Sequence, residues 1–358
     1  MINSNSLPKL FEAVHQPVIG TDGSVIIFEN PAAVSAFGDM AGQLALNLLP
    51  EELLENGAES FICAARLKGR QAAISVLRDG ELFLLFVDFI DGESGTLRMT
   101  RQIISGLRNS AMGLKMSADR CFFKLDEGEQ PAQQHVSMLY HYYYRLLRTI
   151  TQVDSASLIE RGDMLFSPVS TDLIQLCADL ADTVSALSAG SGVSISFSTP
   201  EGELFAVIDP ERMEQLILNL LANSLEHTRA GNSITISLRR AGERIVLSVD
   251  DDGDGISQEA LSNIFTPPSP EPELSSTHGG CGLGLYIAYG IAQLHSGVLL
   301  IESREGEGTH VRLMLPSDTV PAPKFSTPAA AYKRSVSTVL TGLAEVLGNN
   351  CFGPKLED

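Results

Sequence analysis

Four acidic residues and two glycines run together in VLSVDDDGDGIS, residues 246–257. Carboxylates at this density are the donor set of a hard cation. Asp250, Asp252, Asp254 and Gly255 fall on positions 1, 3, 5 and 6 of an EF-hand loop. Two features reject calcium. Position 12, which needs a bidentate Glu, is Leu261, and the loop follows a strand rather than a helix. That strand is legible in RIVLSV, where Ile245, Leu247 and Val249 alternate at period two. Two amides form a second candidate group. Asn219 and Asn223 stand at i and i+4 in MEQLILNLLANSLEHT, on one face of a helix otherwise crowded with apolar residues. They read either as paired polar residues at a helix edge or as ligands for Mg²⁺ and phosphate. A third group is HGGCGLGLYIA, where Gly280, Gly282 and Gly284 would let backbone approach a phosphate at the start of a helix. A Rossmann fingerprint needs a strand directly before such glycines, and here a Pro-rich loop precedes them. A P-loop needs Gly-Lys-Ser/Thr, which is missing.

An α/β frame is written around these groups. The pattern predicts a helix near 170–187, strands at 193–198 and 204–208, and a helix with Asp209 as N-cap and Pro210 at its first position. Strands near 233–239 and 244–250 follow, then the long loop TPPSPEPELSSTHGG, a helix from about 282, and strands near 297–303 and 309–315. Residues 167–316 thus read as a two-layer α/β sandwich. Upstream, Leu97, Thr100, Ile104, Leu107, Ala111, Leu114, Ala118 and Cys121 form one heptad seam; Val136, Leu139, Tyr143, Leu146, Ile150 and Val153 form another. Residues 94–160 are therefore expected as a two-helix antiparallel hairpin. Its seams would be buried by dimerisation into a four-helix bundle, or by packing on neighbouring parts of the chain. Residues 1–93 alternate short strands and turns, with hairpins about Asp22–Gly23 and Asp79–Gly80, as in a small α+β domain. Residues 317–358 are a Pro- and Ala-rich tail with one short helix expected near 334–347.

Bulk properties narrow the partners. Lys and Arg number 25 against 44 Asp and Glu, a net charge of −19 without any basic run, which argues against nucleic acid and anionic membrane. No apolar stretch is long enough to span a bilayer, and the N-terminus lacks the regions of a signal peptide. The five cysteines are scattered without a CxxC pair, so reduced thiols and a cytoplasmic location are expected.

The motifs, taken in order, carry a resemblance. DPERMEQLILNLLANSLEHT, VDDDGDGIS and GGCGLGLYIAYGIAQLHSG, followed by GEGTHVRLMLP, resemble the N, G1 and G2 boxes of the ATP-binding domain of sensor histidine kinases. That domain belongs to the gyrase, chaperone, histidine-kinase and mismatch-repair ATPase superfamily. The resemblance implies an ATP site with Mg²⁺ as cofactor. Asp251 would accept from the adenine amino group, and Gly253 and Gly255 would let the chain turn against the base. Ile256 would wall the pocket, with Thr309 close to Asp251. Asn223 would hold Mg²⁺ with Asn219 in support. Gly280, Gly282, Leu283 and Gly284 would form the phosphate-side box, and 266–279 the ATP lid. Asp250, Asp252 and Asp254 would then be solvated turn residues, and His227 would face the pocket. Asn219 is the histidine-kinase choice where the hydrolytic branches carry Glu. Two departures stand out: Glu226 where the family usually has a phosphate-contacting base, and Pro268 where the lid's second Phe would be.

The resemblance also implies a phosphoacceptor on the first helix of the hairpin, in a pattern like His-Glu-Leu-Arg-Thr-Pro. Aligned on Leu107-Arg108, Ser105 occupies the place of the phosphorylated His, Gly106 that of the neighbouring acid and Ser110 that of the Pro. A serine hydroxyl needs a base that Gly106 cannot supply. His135 and His141 read as surface histidines on the second helix. PVIGTDGSVIIFENPAAVSAFG resembles a PAS sensor domain. The implied whole is α+β and multidomain: a PAS-like domain, a dimerisation hairpin and an ATP-binding α/β sandwich. It would be a homodimeric two-component signalling protein. Its family reaction is ATP-dependent phosphorylation of a protein histidine and transfer to a response regulator. With the acceptor replaced, the alternatives are a non-catalytic ATP-binding scaffold or a kinase acting in trans on a partner kinase.

Overall fold

The computed structural model describes residues 17–45, most of 60–89, 110–118, 133–257, 283–317 and 336–352, with a few single positions between. Ser105, Gly106, Gly280, Gly282, the expected lid 266–279 and the start of the first seam lie outside the described residues.

β1 (Val18–Thr21) and β2 (Ile26–Glu29) form the expected hairpin. Asp22 shapes its turn by accepting from the backbone N–H groups of Ser24 and Val25 at 2.8 and 2.9 Å, which holds its carboxyl below the usual range. Helix α1 (Pro31–Phe37) follows, with Asn30 as N-cap accepting from Ala33 N and also from Val18 N, both at 2.9 Å. β3 (Ser60–Leu67), β4 (Arg70–Asp79) and β5 (Leu82–Phe89) complete this part, with β4 and β5 paired about Asp79–Gly80. Helix α2 (Gln133–Arg161) runs 29 residues, about 44 Å at the α-helical rise. The residues 110–118 of the preceding seam are also helical.

The C-terminal half contains β6 (Val169–Asp172), α3 (Leu173–Ser188), β7 (Ser194–Ser198), β8 (Phe205–Ile208), α4 (Pro210–His227), β9 (Ser233–Ala241) and β10 (Arg244–Asp251). After these come α5 (Gly284–Leu294), β11 (Val298–Arg304), β12 (Gly308–Pro316) and α6 (Val336–Gly342). Strand β6, paired with β8 in a small separate sheet, was not expected, because VSTD has no apolar alternation to read.

The two sets of strands do not form two sheets. They join in a single ten-stranded sheet, ordered β2-β1-β5-β4-β3-β11-β12-β10-β9-β7. The joint is antiparallel pairing of β3 with β11, Cys63 opposite Leu300 and Ile62 opposite Ile301. Side chains alternate across a strand, so one sheet serves two cores. Ile245, Leu247 and Val249 point into the large core beneath α3, α4 and α5. Val246, Leu300 and Met314 point the other way, into the core that holds Ile19, Phe37, Ile74 and Phe83. The architecture is α+β, and none of the described helices is long and apolar enough to cross a membrane.

α2 is two-sided. Tyr143 and Ile150 of the expected seam stand exposed at 42% and 50%, while Tyr144, Arg148, Gln152 and Ala156 are buried on the opposite face. The C-terminal segment covers that buried face. Val339, Leu340, Leu343, Ala344, Leu347 and Phe352 all enter the large core. This corrects the expectation for His141. The tail returns over α2, and the His141 ring is half-buried, stacked on Phe352 with centroids 4.8 Å apart and planes 5° from parallel. Its Nε2 lies 2.8 Å from Ala344 O and its Nδ1 meets Asn349 Oδ1, and burial lowers its pKa. His135 is likewise half-buried, with Nδ1 shielded from solvent.

Phe352 is 2% exposed, so Phe352→Ala should cost about 3–5 kcal/mol through lost burial and the cavity left behind. Urea unfolding followed by circular dichroism should show the lower midpoint. An unshifted midpoint would mean that the tail is not docked on α2.

Candidate functional site

Helix α4 carries most of the site, and its position is fixed at both ends. At the start, Asp209 caps the helix by accepting from Glu211 N and Arg212 N at 3.1 Å, and its second oxygen accepts from Ser167 N at 2.9 Å. The Asp209 backbone N–H donates to His295 Nε2 at 3.1 Å, and His295 Nδ1 lies 2.8 Å from Ile291 O at the end of α5. The imidazole is therefore neutral with its proton on Nδ1, and burial lowers its pKa. At the other end, His227 O accepts from Asp254 N at 3.0 Å, which ties the helix to the turn after β10.

Asp251 is the last residue of β10, 5% exposed, opposite Thr309 on β12 and Ile234 on β9. Its Oδ2 accepts from Ser224 Oγ on α4 at 2.8 Å and its Oδ1 from Gly253 N at 3.1 Å. Burial raises its pKa; the Ser224 and Gly253 hydrogen bonds, the Thr309 backbone and the nearby His227 pull the other way. The turn beyond it has no room for a side chain at two positions. A Cβ on Gly253 would lie 2.6 Å from His227 O. Gly255 has φ +67°, and a Cβ there would lie 2.0 Å from Arg304 O. On the facing strand, Gly308 has φ +98° and would place a Cβ 2.1 Å from Asp251 O. Ile256 N donates to Ser303 Oγ at 2.8 Å, and that hydroxyl donates to Gly308 O at 2.8 Å.

Thr309 is 3% exposed, and its hydroxyl lies 3.0 Å from Ser303 Oγ, so it borders Asp251 through its backbone rather than its side chain. On α4, Asn223 directly precedes Ser224 and Asn219 lies about one turn before Asn223. Asn223 is half-buried. Asn219 is 5% exposed, its Nδ2 has no hydrogen-bond partner, and its Oδ1 would lie 3.6 Å from a Cβ on Gly284. Leu283, fully buried, caps α5 directly before Gly284. The described candidates thus collect along one side of α4, from Asn219 near the start of α5 to Asp251 near its C-terminal end.

The other three carboxylates of the acidic run are not simply solvated. Asp250 Oδ1 pairs with His310 Nδ1 at 2.8 Å. Asp252 accepts from Ser233 N at 2.7 Å and Ser233 Oγ at 3.0 Å. Asp254 pairs with Arg229 at 2.9 Å. Each finds its partner on a neighbouring strand or turn, a placement that needs the register of the sheet. Ser224 escaped the sequence reading too. It directly follows Asn223, and only the packing of α4 on β10 singles it out.

Residues 208–319 match the family model described as histidine kinase-, DNA gyrase B-, and HSP90-like ATPase. The chain is similar to a bacteriophytochrome of Pseudomonas aeruginosa, 29% identical over 214 residues, covering 58% of this chain and 28% of that one. It is also similar to the adaptive-response sensory kinase SasA of Parasynechococcus marenigrum, 33% identical over 157 residues, covering 44% and 41%. The chain spans less than half the length of these two curated relatives. Among solved structures it is similar to the histidine kinase ThkA in a complex with the response regulator protein TrrA, at 20% identity and a TM-score of 0.46, covering 86% of this chain and 98% of that one. The segment that carries Asp251 and the two asparagines is a histidine kinase-, DNA gyrase B-, and HSP90-like ATPase domain, and the chain that contains it is similar to sensor kinases beyond that segment.

Proposed function

We propose that this domain binds Mg-ATP along α4 and serves a two-component signalling protein whose own phosphoacceptor has been lost. The observation that carries the reading is Asp251: a buried carboxylate at a strand end, beside a turn with no room for a side chain at 253 and 255. Such a group supplies an acceptor for an exocyclic amino group, and Gly253 and Gly255 leave room for a flat base. Ile256 walls the same turn and Thr309 backs it. The described residues fit the rest of the ligand. Asn219 offers a buried amide nitrogen with no partner, Asn223 an accessible amide for Mg²⁺, and Leu283 and Gly284 the start of α5 for phosphates; Gly280 and Gly282 belong to the same box by sequence. The metal would neutralise phosphate charge.

The family reaction passes a phosphoryl group to a protein histidine and then to a response regulator. Ser105 and Gly106 hold the places of the acceptor and its acid, which favours two roles: an ATP-binding scaffold acting through conformation, or a kinase acting in trans on a partner's histidine. We assign 1–93 as a PAS-like sensor unit, 94–160 as the dimerisation hairpin, 167–316 as the ATP-binding unit and 317–358 as the tail. Exposed Met112, Met116, Tyr143 and Ile150 on the helices of 94–160 support a homodimer there.

Asp251→Asn should abolish ATP binding in calorimetry while circular dichroism stays unchanged, because the amide cannot present two acceptor oxygens to Ser224, Gly253 and an adenine amino group. Equal affinity in the mutant would overturn the assignment. Asn223→Ala should remove mainly the Mg²⁺-dependent part of the affinity.

The pH dependence carries a definite sign. The folded Asp251 carboxyl has a raised pKa, so it holds its proton at a pH where an ordinary Asp has lost it. Ionising it costs more in the fold than in the unfolded chain; that cost is present above the folded pKa and absent below the unfolded one. Nucleotide binding needs the ionised form. ATP affinity should therefore begin to fall on acidification at a higher pH than for an ordinary Asp, followed by calorimetry from about pH 8 down to the ordinary Asp range of about 4. A pH-independent affinity over that range would argue that Asp251 does not touch the ligand.

Incubation with labelled ATP should yield no phosphohistidine on this chain. Ser105→His with Gly106→Glu should restore weak autophosphorylation if the ATP unit still reaches the helix. Its failure with ATP binding intact would favour the scaffold. Labelling of an added acceptor domain from a partner kinase would establish the trans role.

A further inference from the structure

A cavity of about 470 Å³ lies between α2, α4 and the C-terminal helix α6. Its walls include Arg148 and Gln152 of α2, Gln215 and Asn219 of α4, and Ser337 and Thr341 of the tail. Three of these side chains are more than nine-tenths buried: Arg148 at 6%, Gln152 at 5% and Asn219 at 5% exposure. Two present an unpaired atom, Nδ2 of Asn219 and Oε1 of Gln152. Buried polar atoms left without partners are expensive, so a cavity that keeps them is built for something that pairs them.

The cavity continues the candidate nucleotide site. Asn219 belongs to both, and Asp251, at the other end of the row, marks where the base would lie. Moving along α4 from Asp251 past Asn223 to Asn219 therefore moves from base toward terminal phosphate. Terminal phosphate needs a cation, and α4 offers Glu226 rather than a base beside the two asparagines. Arg148 is the one Lys or Arg among the described residues that line the cavity. Its guanidinium is held by the tail: Nε donates to Glu345 Oε2 at 3.2 Å, and both side chains are largely buried, at 7% and 10% exposure. A carboxylate in this position is an intramolecular competitor for any phosphate that arrives, since each is an oxyanion that can accept from the same guanidinium.

We propose that Arg148, from the helical hairpin outside the ATPase domain, binds the terminal phosphate of the nucleotide, and that Glu345 of the tail competes with that phosphate for it. The inference rests on the ATP reading of α4. It makes nucleotide affinity depend on whether the tail is docked, and it ties α2 to the ATPase domain most firmly when the terminal phosphate is present.

Isothermal titration of the full chain with Mg-ATP and Mg-ADP tests it. Arg148→Gln should weaken Mg-ATP by at least about tenfold, the factor for one lost charge-assisted hydrogen bond, and leave Mg-ADP nearly unchanged. Arg148→Lys should recover part of the loss, because the charge returns without the fork. Glu345→Gln keeps Arg148 in place and should tighten Mg-ATP while leaving Mg-ADP nearly unchanged, which covers the case in which Arg148→Gln does not fold. Equal loss of both nucleotides in Arg148→Gln, or unchanged Mg-ATP affinity in Glu345→Gln, overturns the proposal. A parent chain that binds neither nucleotide overturns the ATP reading as well; a parent that binds Mg-ATP while Arg148→Gln matches it overturns this inference alone.

Discussion

A carboxylate can be buried only where its oxygens are paired, and the arrangement around Asp251 follows from that constraint. Ser224 has to face β10, which sets the rotation of α4 about its own axis. Gly253 has to turn its N–H back to Oδ1, which sets the path of the chain beyond the strand. Gly308 has to pass within van der Waals reach of the Asp251 carbonyl, which sets how closely β12 lies alongside. With α4 rotated to satisfy Ser224, the positions of Asn223, directly before it, and of Asn219, one turn before Asn223 on the same face, are set as well. The site is thus a consequence of one buried charge and the helix that answers it, and the cap at Asp209 with its link to His295 holds that helix at the correct height.

Local chemistry was legible wherever it is written locally. Asp209-Pro210 marked the start of α4, Asp22-Gly23 and Asp79-Gly80 marked the hairpins, and the alternation in RIVLSV marked β10 and so removed calcium from consideration. The asparagine pair, the acidic turn and Gly284 were found from spacing alone. What remained hidden depends on partners distant in sequence. β6 is four mostly polar residues whose only reason to extend is β8, more than thirty residues later. The pairing of β3 with β11 joins segments some 240 residues apart and leaves no trace in either. Ser303, Gly308 and the partners of Asp250, Asp252 and Asp254 all require the strand register before they mean anything.

The joined sheet changes what the two cores can do independently. Val246, Leu300 and Met314 belong by chain position to the ATPase half and by packing to the N-terminal core. A displacement of β3 must either carry β11 with it or break backbone hydrogen bonds at the joint. β12 lies between β11 and the strand that ends in Asp251, so the N-terminal strands and the candidate adenine acceptor are separated by three ladders of backbone bonds rather than by a flexible linker.

The docked tail bears on where the folding unit ends. The recognisable ATPase sequence stops at residue 319, yet Leu340, Leu343, Leu347 and Phe352 lie in the same core as Leu216 and Tyr144. Removing everything beyond the recognised stretch would open the groove between α2 and α4 to water and bare a contiguous apolar strip there. Such a fragment would be prone to self-association, however sound its remaining strands and helices. The boundary drawn by sequence kinship and the boundary of colloidal stability are therefore different places in this chain.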